Sequence, residues 1–303
     1  LFLLFLLLSS SFSKELEKVK LQFQWLDQFQ FAGYYMAKEK GFYKEVGLDV
    51  EFLKFDFGID VVEKVITGKA DYATGRTSLI INRTNYNQNI IALAAIFQHA
   101  PEALLVTNLE MIKTIKDLKN KRIMVTDNQI ASVAYLSMLY SEGIKQEDII
   151  QQEQSFNLND LIENKTDAVS AYISNEPFKL NQMGIKYKYF HPKDYGFDFY
   201  GDILFTSQDE LENHPTRVMN FRDASLMGWH YAFANIEETA KLIKKNYNIQ
   251  KKSLDAIIYE GEVLKNLAYS KDIQLGNISI TKYKEISNIY RLLGVLEKNY
   301  DLD

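Results

Sequence analysis

A chain of 303 residues is longer than one hydrophobic core usually spans, which predicts two lobes. Its apolar share of 47% and charged share of 25% belong to a folded globular protein and exclude a disordered or fibrous one. A net charge of −5, with basic and acidic residues interspersed, argues against a nucleic-acid partner, and the lack of cysteine excludes disulfides, thiolate metal sites and a cysteine nucleophile.

The chain opens with LFLLFLLLSSSFSKE, an apolar run followed by small residues, the pattern of a secretory signal and its cleavage region. Residues 1–13 are too few to span a bilayer, which takes about 20. The competing reading is a buried N-terminal strand. The signal reading predicts a periplasmic protein, or the extracytoplasmic part of an inner-membrane protein, cut from a longer precursor.

Strands and helices then alternate. VKLQFQW (Val19 to Trp25) reads as a strand, GYYMAKEKGFYKEVG as a helix ended by Gly47, and LDVEFLKF as a second strand. A helix in GIDVVEKVITGKA, a strand in DYATG, a helix opening near Thr77 and Ser78, and the apolar strand NIIALAAIF follow. Such alternation predicts an α/β fold with parallel or mixed sheets. Near Leu104 the pattern restarts with a strand and helix in KDLKNKRIMVTDNQIASVAYLSMLYSEG, and the last hundred residues are mainly helical.

Two segments echo each other. VITGKADYATGRTS (Val65 to Ser78) and LIENKTDAVSAYIS (Leu161 to Ser174) align without gaps: a helix end, a Gly or Asn, Lys-x-Asp, then a short strand opening into a polar turn. Chance is one explanation; two αβ lobes ending equivalent strands at one ligand-binding edge is the other. Ala103 to Thr107 and Asp202 to Thr206 suit two hinge strands. The expected domains are therefore residues 19–104 plus 206–303 for a discontinuous first lobe and 105–205 for the second.

The turns after these strands supply the candidate site. Trp25 and Phe31 can stack a planar ring or serve as core; Tyr34 offers a hydroxyl. Thr77 and Ser78 suit an acceptor or a plain helix cap, and Arg76 a carboxylate clamp or a solvated charge. Gln98 can both donate and accept. Neighbouring His99 lacks a visible Asp or Ser partner and reads as structural. In the second lobe Tyr172, Asn175 and Glu176 precede a helix that Pro177 can begin; Glu176 suits an amino group or ring N–H, or merely stabilises the helix start. Tyr200 and Asp202 lie just before the return strand. No HExxH, EF-hand, Walker or GxGxxG pattern occurs, so neither metal nor cofactor is expected.

Taken together, QWLDQFQFAGYYMAKEKGFYKEVGLDVEF, ALAAIFQHAPEALLV, DAVSAYISNEPF and DYGFDFYGDILFTSQDELENHP resemble the periplasmic solute-binding family related to thiamine-pyrimidine precursor synthesis and uptake, most of all versions fused to bacterial membrane sensors. The resemblance implies two α/β lobes closing on a small heteroaromatic ligand, with Trp25, Phe31 and Gly33 on the ligand-facing wall. It implies a membrane permease or an attached sensor, kinase or cyclase module as partner. The alternative is a pyrimidine-synthesis enzyme of the same family with His99 reactive and iron or pyridoxal phosphate involved. The synthase branch carries a cysteine-rich stretch that this chain lacks, so binding without catalysis is the expectation.

Overall fold

The computed structural model of the protein describes residues 15–125, 133–269 and 273–296. The signal reading at residues 1–13 lies outside them. Two five-stranded mixed sheets carry the architecture. The first holds β1 (Glu17–Gln22), β2 (Leu48–Leu53), β3 (Tyr72–Gly75) and β4 (Ile90–Ala95). The second holds β5 (Glu102–Val106), β6 (Arg122–Val125), β7 (Ile150–Glu153), β8 (Ala168–Tyr172) and β9 (Lys188–Phe190), after which β10 (Ile203–Ser207) returns to the first.

Strand orders are β2-β1-β3-β10-β4 and β7-β6-β8-β5-β9. Each sheet thus has three parallel strands, a fourth strand antiparallel to them, and a fifth that runs parallel to the first three again. In each, the strand in fourth place has just crossed from the other lobe. The stretches expected to be hinge strands therefore lie mostly in β5 and β10, each hydrogen-bonded on both sides within one sheet. The chain changes sheet earlier, at residues 96–101 and 191–202.

Helices cover the sheets. Around the first sheet are α1 (Ala32–Glu39), α2 (Phe42–Glu45), α3 (Val61–Ile66) and α4 (Leu79–Thr84); around the second are α5 (Val133–Ser141), α6 (Asn159–Ile162) and α7 (Glu176–Gln182). The C-terminal part adds α8 (Gln208–Asn213), α9 (Pro215–Ala234), α10 (Ile236–Asn246), α11 (Leu254–Ala268) and α12 (Ile280–Leu292). The single helix expected before Gly47 is split, because Gly41 takes a φ of 85° and stops α1. Asp60 caps α3, accepting from the backbone N–H groups of Val62 and Glu63.

The internal echo is a real structural repeat. Gly68 and Asn164 occupy the same place in it and both take positive φ, 68° and 56°. The following aspartates act identically. Asp71 accepts from the Lys20 backbone N–H at 2.6 Å and donates its own N–H to Lys20 O at 3.0 Å. Asp167 does the same with Arg122 at 2.9 and 3.0 Å. Each aspartate thereby ties the third strand of its sheet to the neighbouring parallel one. Arg76 and Tyr172 are equivalent positions in this repeat, just beyond β3 and at the end of β8.

Helix α9 returns onto α1 at very close range. A methyl group on Gly228 would lie 2.0 Å from the Gly33 carbonyl oxygen, and one on Gly33 would lie 2.1 Å from the Trp229 ring. Gly33 therefore serves helix packing and does not face a ligand. Gly228→Ala is expected to lower unfolding free energy by about 3 kcal/mol, read as a shift in the urea midpoint. An unchanged midpoint would show that the helices do not meet there.

Candidate functional site

The carboxyl ends of β3 and β8 face one another across a cleft with a cavity of about 350 Å³. A second hollow of about 300 Å³, against β4 and α12, is lined by aliphatic side chains such as Leu79, Ile90 and Ile278 together with Arg83 and Tyr283. Polar and aromatic groups converge in the cleft, which makes it the candidate site.

Aromatic rings from both lobes form one wall. Trp25, following β1, lies 5.2 Å from Phe55, 5.7 Å from Phe57 and 5.3 Å from Phe156. Phe156 stands in the turn after β7, in the opposite lobe, at a φ of 57° that aims its exposed ring at Trp25. Phe57 and Phe156 are 64% and 59% exposed, so both have apolar surface to cover.

Facing the rings is a polar wall. The Arg76 guanidinium sits over the Tyr172 ring at 5.7 Å. The two equivalent positions of the repeat thus meet across the cleft. Glu102, the first residue of β5, accepts from the Tyr172 hydroxyl at 3.1 Å and lies 3.7 Å from Arg76 Nη1. Glu176 Oε2 accepts from the Tyr172 backbone N–H at 3.0 Å, while its Oε1 is 4.0 Å from Lys179 Nζ.

Lys252, in the turn before α11, closes the third side. Its ammonium donates to Gln28 Oε1 at 2.9 Å, to the carboxylate of Glu260 on α11 at 2.8 Å and, across the cleft, to Asn175 Oδ1 at 2.5 Å. Glu260 is fully buried, and the Lys252 ammonium is the opposite charge it is paired with there.

Of the candidate site residues, Trp25, Arg76, Tyr172, Asn175 and Glu176 lie on the cavity wall. The other candidates lie elsewhere. Phe31 is buried and stacks on Phe23 at 4.4 Å. Tyr34 is buried edge-on against Trp229 at 5.8 Å. Thr77 is buried and donates to the Tyr200 carbonyl at 2.8 Å; Ser78 starts α4 without a side-chain cap and lies off the cavity. Gln98 is buried, donating to the carbonyls of Asn277 and Ala95. Tyr200 is buried and accepts from the Ser279 backbone N–H at 2.8 Å.

Asp202, expected to close the site, is buried beneath it and accepts two 2.9 Å bonds from Gln30 Nε2. Apart from half-buried Ser78, each of these side chains turns into the core. Glu102, Phe156, Gln28, Phe57 and Lys252 were missed, since nothing local to them signals a cleft. The His99 partner invisible in the sequence is Asp198, 2.8 Å from Nδ1; Asp198 also accepts from Lys282 Nζ at 2.7 Å. This cluster joins the crossing segments and stands outside the cavity.

Two lobes with this strand order, hinged at two crossings over a ligand-sized cleft, constitute the periplasmic-binding-protein fold. The periplasmic aliphatic sulphonate binding protein SsuA from Escherichia coli superposes with a TM-score of 0.74 at 13% identity, covering 94% of this chain and 96% of that one. Residues 28–239, more than half of the chain, match the NMT1/THI5-like family, and the protein belongs to that family. Among similar proteins is the riboflavin-binding protein RibY of Chloroflexus aurantiacus, 27% identical over 233 residues. That alignment takes in 75% of this chain but 66% of RibY, just under two thirds of its length. The formylaminopyrimidine-binding protein of Halalkalibacterium halodurans is 22% identical, over 78% of this chain and 73% of its own. No helix among the described residues is long and apolar enough to cross a membrane.

The environment of Asp202 has a measurable consequence. Burial raises its pKa from 3.8 to about 7, against the pull of the Gln30 hydrogen bond and the Arg76 charge. The folded state thus favours the protonated form. The associated stability is fully present below about pH 4 and is lost as pH rises to about 7. Asp202→Asn should flatten this slope, so that the variant gains on the wild type by roughly 1–4 kcal/mol between those limits, measured by urea unfolding across pH. Parallel pH profiles would overturn the assignment.

Proposed function

We propose that the protein is an extracytoplasmic receptor that closes its two lobes on a small, flat heteroaromatic molecule and releases it unchanged. The observation carrying this reading is the pair Trp25 and Phe156, contributed by opposite lobes and 5.3 Å apart, beside a wall of Arg76, Tyr172, Glu102 and Glu176. A flat ring entering between them covers exposed aromatic surface on both lobes at once. Its edge atoms meet guanidinium donors on one side and carboxylate acceptors on the other. Affinity for the closed form then exceeds that for the open form, which is what shifts the population to closed.

The names of the relatives support the ligand class, one being riboflavin-binding and another formylaminopyrimidine-binding. The partner of the closed form is an import permease at the membrane; a sensor module on the same polypeptide would read the same closure. Catalysis finds no support, because the His99 and Asp198 pair is spent on the hinge and lies off the cavity. Among the described residues no group of His, Cys, Asp and Glu is arranged to hold a metal ion.

Titration calorimetry against riboflavin and an aminopyrimidine alcohol tests the reading. At least one should bind and be recovered chemically intact, and Trp25→Ala should weaken it about 10- to 100-fold. A correctly folded protein that takes neither compound, or that converts one, would refute it.

A further inference from the structure

We propose that the cleft selects uncharged heteroaromatic molecules against their phosphorylated forms, and that Glu102 is the residue setting this selectivity. The inference rests on the ligand class proposed above and adds the charge state. Among the described residues, the cations lining the cavity are Arg76, Lys179 and Lys252. Each already has a carboxylate. Arg76 Nη1 lies 3.7 Å from Glu102 Oε1, Lys179 Nζ is 4.0 Å from Glu176 Oε1, and Lys252 Nζ is 2.8 Å from Glu260 Oε2. Three positive charges face three negative ones, two of the latter on the wall itself.

A phosphate ester brings a charge of about −1.5 to −2 near neutral pH. On entering a closing cleft it sheds water, and it recovers the loss only against a cation not already committed elsewhere. Every cation on this cavity's described wall has a carboxylate within 4.0 Å, so the lining offers a phosphate no net positive charge, while Glu102 and Glu176 repel it. A neutral ring meets no such barrier. The Arg76–Glu102 separation exceeds hydrogen-bond length, so the guanidinium N–H groups remain able to donate to ring carbonyls or nitrogens.

Glu102 holds the balance for a geometric reason. Side-chain exposure is 38% for Arg76 and 18% for Glu102, so the guanidinium is the member that a ligand reaches first. Glu102 is in turn anchored by the Tyr172 hydroxyl, on whose ring Arg76 sits. Glu102→Gln preserves an acceptor for that hydroxyl and leaves Arg76 as an unbalanced positive charge.

The experiment measures dissociation constants for riboflavin and its 5′-phosphate, and for an aminopyrimidine alcohol and its phosphate ester. In the wild type the phosphorylated member of a binding pair should be weaker by about 30-fold or more. Glu102→Gln should move the phosphate-to-alcohol affinity ratio at least about tenfold towards the phosphate. Glu176→Gln, which keeps an acceptor for the Tyr172 N–H, should move it the same way and provides the reading if the first variant misfolds. Equal or tighter phosphate binding in the wild type, or an unmoved ratio in the folded variants, overturns this inference alone. Failure of every probe to bind overturns the heteroaromatic reading and this inference with it.

Discussion

The cleft exists because the chain crosses between the sheets twice and the two crossings are bonded to each other. Ile96 donates to the Asp202 carbonyl at 2.7 Å, Gly201 to Phe97 at 2.9 Å and Ala100 to Phe199 at 2.9 Å. His191 Nε2 reaches the Ala100 carbonyl, and Lys282 ties Gln98 O to the Asp198 carboxylate. A paired double crossing behaves as a hinge: it holds the sheets at one end and leaves the strand ends facing each other at the other. A methyl on Gly201 would approach Phe97 Cβ to 2.7 Å, which is why the smallest residue stands at that contact.

A hydrogen-bonded chain joins this hinge to the cavity. Asn175 and Lys252 meet at the cavity wall; Lys252 bonds Gln28 and Glu260; Gln28 bonds Gln30 at 2.6 Å; and Gln30 bonds Asp202 in the second crossing. Glu260 closes the loop by accepting from the Gln30 backbone N–H. If the lobes part, Lys252 loses its bond to Asn175 but keeps both partners on its own side, so opening strands no buried charge. The same logic lets the Asp202 carboxyl sit dry beneath the site, protonated more readily than an exposed one.

Much of the wall was legible in the sequence because of the repeat. Gly68 and Asn164, then Asp71 and Asp167, mark equivalent strands, and the residues just past them lie at the carboxyl edge where ligands bind. That logic reached Arg76, Tyr172, Asn175 and Glu176, and Trp25 by its place after β1. It failed one step away, at Thr77, Tyr200 and Asp202, where backbone position is the same but the side chain turns inwards. Aromatic density in QWLDQFQFAGYY likewise marks both functions at once: Trp25 faces the cleft, whereas Phe31 and Tyr34 fill the core.

What the amino-acid sequence determined by itself was local and periodic: alternating strands and helices and the positive-φ stops. These depend on residues close in the chain. Only the tertiary structure decided which side chains share the cavity. Lys252 reaches Asn175 across 77 positions and Glu102 reaches Tyr172 across 70, through contacts that no local pattern records. Side-chain direction is settled by what packs behind it, and that packing can come from far along the chain, as with Tyr200 behind Thr77 and Trp229 behind Tyr34.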